Sequence, residues 1–287
     1  MRLCRYDDNR LGVVEGDLVH DVSHVLDRLP SFRYPLPEHD PLIAALPGLL
    51  PEIRKSLATA PTVRLADVRL LPPVASPRKI VAAPVNYRKH VEEAVADPTI
   101  HHGQTVLEID KAGLFLKATS SLIGPSDAVA IRHPERRNDH EIELVAVIGE
   151  VADRVPRERA LSVVAGYCIG LDMTVRGTEE RSMRKSIDTY SVIGPWLVTA
   201  DEISDPGDLA MELRVNGEVR QQASTSMLLR DLATLIERAS SFYTLMPGDL
   251  LFTGTPEGVA PVKGGDVIQA EIQGIGAMTI SVVDAVR

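Results

Sequence analysis

The chain has 287 residues, a length that fits one large domain or two smaller ones around a substantial core. Its hydrophobic fraction of 44% and charged fraction of 25% are ordinary for a globular protein and exclude a disordered or fibrous class. Lysine and arginine number 31 against 40 aspartates and glutamates, so the formal net charge is -9 and nucleic acid is not expected as a partner.

Cysteine content and targeting signals bear on the compartment. Cys4 and Cys168 lie far apart in the sequence and form no CxxC pair, which favours reduced thiols over a disulfide framework. The N-terminal MRLCRYDDNR lacks the apolar segment of a signal peptide, and no apolar run approaches the roughly 20 residues that span a bilayer. We therefore expect a cytoplasmic protein with no membrane partner.

The first seventy or so residues read as a small unit of strands and helix. MRLCRY, LGVVEGDLVHDV and VRLADVRLL are strand-like, and residues 30–41 are a proline-rich loop. LIAALPGLLPEIRKSLATA predicts one or two short helices interrupted by Pro47 and Pro51. A proline-punctuated connector over 72–84 places a boundary near residue 75, which predicts a small α+β domain over 1–75 and a larger one over 76–287.

The remaining sequence is rich in predicted strands. Those strands are HEIELVAVIG, VVAGYCIGLDMTV, SVIGPWLVT, LAMELRVNGEV, DLLFTGTP, DVIQAEIQGIG and MTISVVDAV. Asn216-Gly217 is a strong hairpin signal. Helical periodicity appears in LLRDLATLIERASSFY and RERALSVVAG. The expected class is β-rich α+β.

Acidic residues in two of these strands predict a metal site. Glu141 and Glu143 alternate along a strand, so they share a face with Cα atoms roughly 6.5–7 Å apart. Asp172 stands in the apolar strand CIGLDMT and would supply a third carboxylate. Three carboxylates without cysteine or histidine favour Mg²⁺ or Mn²⁺ over zinc. The alternatives are a solvated strand face for the glutamates and a paired core carboxylate for Asp172.

One histidine and three cations are further candidates. His90 and Glu93 are an i, i+3 pair if a helix begins after Tyr87, and a carboxylate beside an imidazole is typical of a general base. Arg176, Lys185 and Lys117 could each bind a substrate carboxylate or stabilise an enolate. The alternatives are a surface histidine–glutamate pair and solvated surface cations.

The stretch MPGDLLFTGTPEGV ends in a turn of small residues around Thr255. Such a turn lets backbone N–H groups and the threonine hydroxyl approach an anion, although a plain tight turn between strands explains it equally well. The sequence has no GxxxxGK[ST], no GxSxG and no GxGxxG after a strand, so it does not predict the nucleotide or serine-hydrolase chemistry of those motifs.

Taken together, the motifs resemble one enzyme family. NYxxH, FLKxxSS, HEIEL, LDMTVR, KSIDTYSVIGPWLVT and MPGDLLFTGTPEGV occur in the order found in the fumarylacetoacetate hydrolase family, and the resemblance covers roughly residues 78–287. It implies a mixed β-roll or barrel around a metal site and a homodimer. Many bacterial members also have a small N-terminal domain like residues 1–75, which makes 76–287 the catalytic domain.

The resemblance implies a role for each matching residue. The implied metal ligands are Glu141, Glu143 and Asp172, holding Mg²⁺ or Mn²⁺. The implied catalytic residues are the lid-borne acid–base pair His90 and Glu93, together with Lys185. The implied substrate contacts are Arg176 and Thr255, and Lys117 is retained as a further candidate for a substrate contact because of its charge.

The implied activity is metal-dependent hydrolysis of a C–C bond in an acylpyruvate-like 2,4-dioxo acid, as in aromatic catabolism, with an enolate stabilised by the metal and Lys185. Alternatives within the family are decarboxylation of an oxaloacetate-like acid and isomerisation or hydration of a 2-oxo-alkenoate. A more remote one is a catalytically idle binding protein. Two departures from the family pattern, GTEERSMR after Arg176 and a long lid over 91–112, leave the substrate open.

Overall fold

The computed structural model describes residues 1–285 and contains twenty strands, most of them short. The first ten strands are β1 (Arg2–Tyr6), β2 (Arg10–Glu15), β3 (Leu18–Asp21), β4 (Thr62–Arg64), β5 (Leu70–Leu71), β6 (Ile80–Ala82), β7 (Phe115–Lys117), β8 (Leu122–Ile123), β9 (Val129–Ile131) and β10 (Asn138–His140). The other ten are β11 (Ile142–Ile148), β12 (Val164–Asp172), β13 (Thr174–Val175), β14 (Ser191–Thr199), β15 (Ala210–Val215), β16 (Glu218–Ser224), β17 (Leu250–Phe252), β18 (Ala260–Pro261), β19 (Val267–Ile272) and β20 (Gly276–Asp284).

Seven α-helices lie among the strands of the described chain, and only two exceed ten residues. They are α1 (Pro41–Ser56), α2 (Arg88–Ala96), α3 (Pro98–His101), α4 (Ile109–Ala112), α5 (Arg157–Ala160), α6 (Arg181–Lys185) and α7 (Leu232–Phe242). None of these helices combines the length and hydropathy needed to cross a bilayer.

A twelve-stranded mixed sheet forms the centre of the fold. Its order is β4-β3-β2-β1-β14-β12-β11-β17-β6-β7, with β5 paired to β1 and β8 to β14. Every residue of β11 and of β14 is buried, because both faces of the sheet are covered and continuous apolar runs fit there. The sheets of residues 1–285 do not close into a barrel, so the β-rich α+β prediction is confirmed in its mixed-roll form.

Two smaller sheets complete the roll. One has the order β16-β15-β19-β20-β9, and its β15–β16 hairpin turns at Asn216-Gly217, where both residues have positive φ. The Asn-Gly hairpin signal is therefore confirmed. The other sheet, β13-β10-β18, joins the central one because the chain passes from β10 into β11 through Glu141, and from β12 into β13 through Met173. These two crossings bring acidic residues together.

The N-terminal strands extend the central sheet. β1 pairs with β14 through Arg2–Val198 and Leu3–Leu197, and α1 packs its apolar face into the same core as β11 and β14. Residues 1–75 thus share a sheet with the rest of the chain, and the boundary near residue 75 stays a prediction.

Two helices form where they were predicted, but with different lengths. α1 is one continuous helix that contains both Pro47 and Pro51. Both prolines lie on its exposed face, and burial of Ile43, Leu46 and Ile53 on the other face stabilises the helix.

In RERALSVVAG the α-helix ends after four residues, at Ala160. A 3-10 turn follows over Leu161–Val163, and strand β12 begins at Val164. The β-branched valines favour the strand, and Gly166 lies so close to Val198 that an added Cβ would come 2.2 Å from that residue's carbonyl oxygen.

Candidate active site

Three carboxylates meet where the sheets cross. Oxygen atoms of Glu141, Glu143 and Asp172 all lie within 4.8 Å of one another, and all three side chains are buried. Pairing of β11 with β12 sets Glu143 opposite Gly170, and the backbone N–H of Asp172 donates to the Glu141 carbonyl at 2.9 Å. The alternating glutamates and the acid of the neighbouring strand therefore form the cluster that the sequence predicts.

The cluster has the chemistry of a divalent-cation site. Burial raises the pKa of Glu143 well above its usual range, and the neighbouring carboxylates of Asp172 and Glu141 raise it further. A bound cation would relieve that repulsion and burial cost. All available donor atoms are carboxylate oxygens, which suit Mg²⁺ or Mn²⁺.

Two cationic side chains border the cluster on one side. Lys185 Nζ donates to Glu141 Oε2 at 2.7 Å, to Asp172 Oδ2 at 2.6 Å and to Thr174 Oγ1 at 2.6 Å. Arg176 donates to Glu141 Oε1 at 2.8 Å and to Asp139 Oδ2 at 2.7 Å. Burial alone would raise the pKa of Glu141, but Lys185 and Arg176 hold it well below its usual range. This carboxylate stays ionised beside two cations.

Lys117 occupies a different place from that expected of a substrate contact. Its ammonium is fully buried and donates to Asp172 Oδ1 and, at 2.7 Å, to the Tyr190 carbonyl. It is not among the residues that line the cavity. Burial lowers the pKa of Lys117, and Asp172 opposes that shift. The geometry gives Lys117 the position of a support for Asp172, behind the cluster.

The predicted histidine–glutamate pair forms at the start of the lid. Helix α2 begins at Arg88, and His90 Nδ1 lies 2.8 Å from Glu93 Oε2. The second Glu93 oxygen accepts from the backbone N–H of Gly258 at 2.9 Å. Gly258 has φ +92, and an added Cβ would lie 2.0 Å from the Arg220 carbonyl oxygen, so only glycine fits here. Glu93 therefore ties His90 to the turn after β17.

That turn also contributes to the cluster directly. The backbone N–H of Gly254 donates to Glu143 Oε2 at 2.7 Å, so this N–H group of the turn holds a protein carboxylate. Thr255 lines the cavity, as expected of a substrate contact.

Gln221 is a buried residue that sequence reasoning missed. Its amide nitrogen donates to Thr255 Oγ1 at 2.8 Å and to the Pro256 carbonyl, while its amide oxygen accepts from Ile142 N–H and His140 Nδ1. A register shift between Leu213 and Arg214 marks a bulge beside Gln221 in the β15–β16 pair, a feature that re-aims side chains near sites. Because Thr255 accepts from Gln221, its own proton is free to point into the cavity.

Further residues missed from the sequence are Arg181 and Arg184 on α6. Both line the cavity together with His90, Arg176, Lys185 and the three carboxylates. Their only sequence signal is the basic run RSMRK, which falls in the stretch that departs from the family pattern.

Part of the lid over 91–112 lines the cavity. Ile100, His101 and Gln104 are among the lining residues, and Gln104 Nε2 donates to the Thr178 carbonyl at 2.7 Å. Asp97 anchors the base of the lid through Arg137 at 2.8 Å. The predicted lid therefore lies where it can exclude water from a bound substrate.

Comparison with known proteins assigns the family. Residues 79–283 match the model described as fumarylacetoacetate (FAA) hydrolase C-terminal. The chain belongs to the fumarylacetoacetate hydrolase family. The family prediction drawn from the ordered motifs is thereby confirmed.

Several known proteins are similar over most or all of the chain. A maleylpyruvate hydrolase of Aquipseudomonas alcaligenes is 58% identical over 284 residues, covering 98% of this chain and 99% of the relative. A 2,4-didehydro-3-deoxy-L-rhamnonate hydrolase of Sphingomonas sp. is 38% identical, covering 83% and 87%. The crystal structure of maleylpyruvate hydrolase from Sphingobium sp. SYK-6 with manganese(II) and pyruvate has a TM-score of 0.85 at 41% identity, and both chains are covered completely.

Proposed function

We propose that this chain is a Mg²⁺- or Mn²⁺-dependent hydrolase that cleaves the C–C bond of a maleylpyruvate-type 2,4-dioxo acid. The observation that carries the proposal is one buried cavity that holds both a three-carboxylate cluster and an oriented histidine–glutamate pair. The 58% identity to a maleylpyruvate hydrolase supports the substrate class.

We assign Glu141, Glu143 and Asp172 as the ligands of the cation. When bound, the cation supplies Lewis acidity for a 2-oxo acid and neutralises part of the cluster's charge. Lys117 and Lys185 donate to opposite oxygens of Asp172 and so fix the direction of that carboxylate. Arg176 donates to Glu141 and fixes the direction of that carboxylate in the same way.

His90 acts as the general base in this mechanism. Its Nδ1 faces the Glu93 carboxylate and carries the proton, so the free Nε2 can take a proton from a water molecule in the cavity. The resulting hydroxide attacks the C4 carbonyl of the 2,4-dioxo acid. Glu93 stabilises the imidazolium that forms, and its bond to Gly258 keeps the pair in place.

Cleavage of the C3–C4 bond then leaves the bonding electrons on C3, as the enolate of pyruvate. Lys185 places a buried positive charge where the enolate oxygen develops charge. The Thr255 hydroxyl donates to an oxygen of the substrate, since Gln221 already occupies its acceptor side. Protonation of C3 gives pyruvate, and the acyl half leaves as a carboxylate, so one water molecule is consumed for each bond broken.

Substitution of His90 separates hydrolysis from its alternatives within the family. His90→Ala should lower kcat for acylpyruvate cleavage by about 10²–10⁴-fold, the usual worth of a positioned base. Any oxaloacetate decarboxylation should be largely spared, because it needs an electron sink and no activated water. Lys185→Ala should lower both activities, since both develop enolate charge.

The matched control for His90→Ala is His133→Ala, which removes a histidine from an exposed histidine–glutamate pair. It should leave kcat unchanged within about twofold. Acylpyruvate cleavage that survives His90→Ala would refute the base assignment. An equal loss of both activities would assign His90 to lid closure or to enolate protonation.

We further propose that residues 1–75 carry no catalytic group, because every residue assigned above lies beyond residue 78. A chain that begins at residue 76 loses the β1–β14 pairing and part of the shared core, so it should be less stable. Where it folds, calorimetry should still detect Mn²⁺ binding. A folded truncated chain that binds no Mn²⁺ would contradict this division.

We propose a homodimer as the assembly, in keeping with the family. Several large apolar side chains are exposed on the single chain, including Tyr34 and Phe242. Light scattering should give twice the 31.2 kDa mass of the chain. A monomeric mass at micromolar concentration would reject the proposal.

A further inference from the structure

Arg181 and Arg184, here called the arginine pair, have no role in the mechanism above. Both line the cavity. The guanidinium carbon of Arg181 lies 5.5 Å from the centre of the Phe115 ring, and Arg184 donates to the carbonyls of Glu179 and Val175. Within residues 1–285, neither guanidinium forms a salt bridge with a carboxylate.

The other cations of the site are all neutralised by protein carboxylates. Lys185 bonds to Glu141 and Asp172, Arg176 bonds to Glu141 and Asp139, and Lys117 bonds to Asp172. The arginine pair differs because neither guanidinium is bonded to a carboxylate of the described residues, so both can bind an anionic ligand. Arg184 is buried and Arg181 is half-buried, so both are held partly away from water, and this burial lowers the pKa of both side chains.

The net charge of the cavity lining also favours an anionic ligand. Its lining includes four cationic side chains, namely Arg176, Arg181, Arg184 and Lys185, against the three carboxylates of the cluster. A divalent cation on the cluster would bring the excess to three positive charges. A ligand with one carboxylate leaves most of that excess unmatched, whereas a dicarboxylate matches it better.

We propose that the arginine pair binds a second carboxylate of the substrate, at the end of the acyl group remote from the 2-oxo acid. In this role the arginine pair selects the dicarboxylic acid of the proposed function over acylpyruvates that lack the second carboxylate. This inference rests on the proposed function and specifies it further.

The geometry of the arginine pair suits that ligand. The Arg181 guanidinium lies over the Phe115 ring, and within residues 1–285 none of its N–H groups donates to a protein acceptor, so all are available to a ligand. Two backbone carbonyls hold Arg184 through Nε and Nη1, leaving Nη2 available. Two such donors can hold both oxygens of a carboxylate, the arrangement that arginine favours.

The test compares two substrates that differ at the acyl end. Maleylpyruvate has the second carboxylate and acetylpyruvate lacks it. For each variant we would measure the ratio of kcat/KM on maleylpyruvate to kcat/KM on acetylpyruvate. Arg181→Met and Arg184→Met should each lower this ratio about 10- to 100-fold, the range for loss of a charge-assisted hydrogen bond, mainly through KM.

Conservative and remote variants make the test specific. Arg181→Lys and Arg184→Lys keep the charge but lose the planar fork, so they should fall between wild type and the methionine variants. Arg132→Met makes the same charge change at an exposed arginine outside the cavity lining and should leave the ratio unchanged.

A binding measurement keeps the inference testable without turnover. Calorimetry on the Mn²⁺-loaded protein would compare maleate, a dicarboxylate, with acrylate, a monocarboxylate. The methionine variants should lose at least about tenfold in affinity for maleate relative to acrylate. Unchanged ratios in folded methionine variants, for kinetics or for binding, would overturn the second-carboxylate site. Failure of wild type to cleave either dioxo acid would instead reject the proposed function.

Discussion

The two ends of the cavity are built from different parts of the fold. At the carboxylate end, Glu141, Glu143 and Asp172 stand on or beside central strands, and each is held by hydrogen bonds from the protein. At the arginine end, Arg181 and Arg184 stand on the five-residue helix α6, beneath the lid. The carboxylates of the first end all accept hydrogen bonds from the protein, whereas the arginines of the second end have no carboxylate partner in the described chain.

We infer from this difference that the carboxylate end serves catalysis and the arginine end serves substrate specificity. A sheet fixes side chains firmly, so the strand end can hold a cation in one geometry whatever the acyl group is. Helix α6 also carries Lys185, which holds Glu141 and Asp172, but Arg181 and Arg184 bond to neither carboxylate. Substitutions at these two arginines can therefore leave the cluster in place, which suits them to distinguish substrates. Substitutions at the carboxylate end should therefore affect all substrates alike, and those at the arginine end should affect them unequally.

The largest effect is expected at Glu143. Glu143→Gln keeps the shape of the side chain but removes a proposed ligand charge, so Mn²⁺ affinity and kcat should both fall, kcat by about 10³-fold or more on every 2,4-dioxo acid. Calorimetry with Mn²⁺ and steady-state kinetics would measure the two losses.

Glu150→Gln is the control for that substitution, because Glu150 is an exposed carboxylate just beyond the same strand. It should behave as wild type. A folded Glu143→Gln protein with normal Mn²⁺ affinity would remove Glu143 from the ligand set.

A smaller effect is expected at Gln221, between the two ends. Gln221→Met should lower kcat/KM by about tenfold, because loss of one oriented hydrogen bond to the Thr255 hydroxyl is worth about 1 kcal/mol or slightly more. Thr255→Val should cost a similar amount. In a double-mutant cycle the two losses should not add, since Gln221 acts only by orienting the Thr255 hydroxyl, which Thr255→Val removes. Additive losses would show that Gln221 acts on stability alone, which thermal unfolding of each variant would report.

The smallest effect is expected where the lid is anchored. Asp97→Asn removes the carboxylate that holds Arg137, so hydrogen exchange in 98–112 should increase and KM should rise by a few-fold. The hydrogen bond from Thr99 lowers the pKa of Asp97 to about 2, with Arg137 contributing.

Because that pKa is lowered in the folded protein, the anchor is fully present above about pH 4 and is lost as the pH falls through 2. Lid protection in wild type should therefore be constant from pH 7 to about pH 4. Loss of protection between pH 7 and pH 5 would contradict the assignment of the anchor to Asp97.

Local patterns in the sequence predicted the carboxylate end well. Alternation along one strand is enough to put Glu141 and Glu143 on one face, and an i, i+3 spacing is enough to pair His90 with Glu93. The Asn216-Gly217 hairpin is equally local. Asp172 was expected as the third carboxylate from its place in an apolar strand, and the pairing of β11 with β12 in the structure brings it to the cluster.

What the sequence did not predict depends on contacts between distant segments. Gln221 reaches Thr255 only through a bulged hairpin, and Lys117 lies behind Asp172 because β7 stands at the edge of the sheet. The arginine pair looks like ordinary surface charge until α6 is placed at the cavity. Similarly, Pro47 reads as a helix breaker until the packing of α1 is known.

The most direct test is the stoichiometry of maleylpyruvate turnover by chelated and Mn²⁺-reconstituted protein. A metal-dependent C–C hydrolase should be inactive after chelation, and reconstitution should restore release of one pyruvate and one maleate for each maleylpyruvate consumed. Two results would contradict the assignment as a metal-dependent C–C hydrolase. One is cleavage at full rate by the metal-free protein, and the other is conversion of maleylpyruvate to an isomer without release of pyruvate.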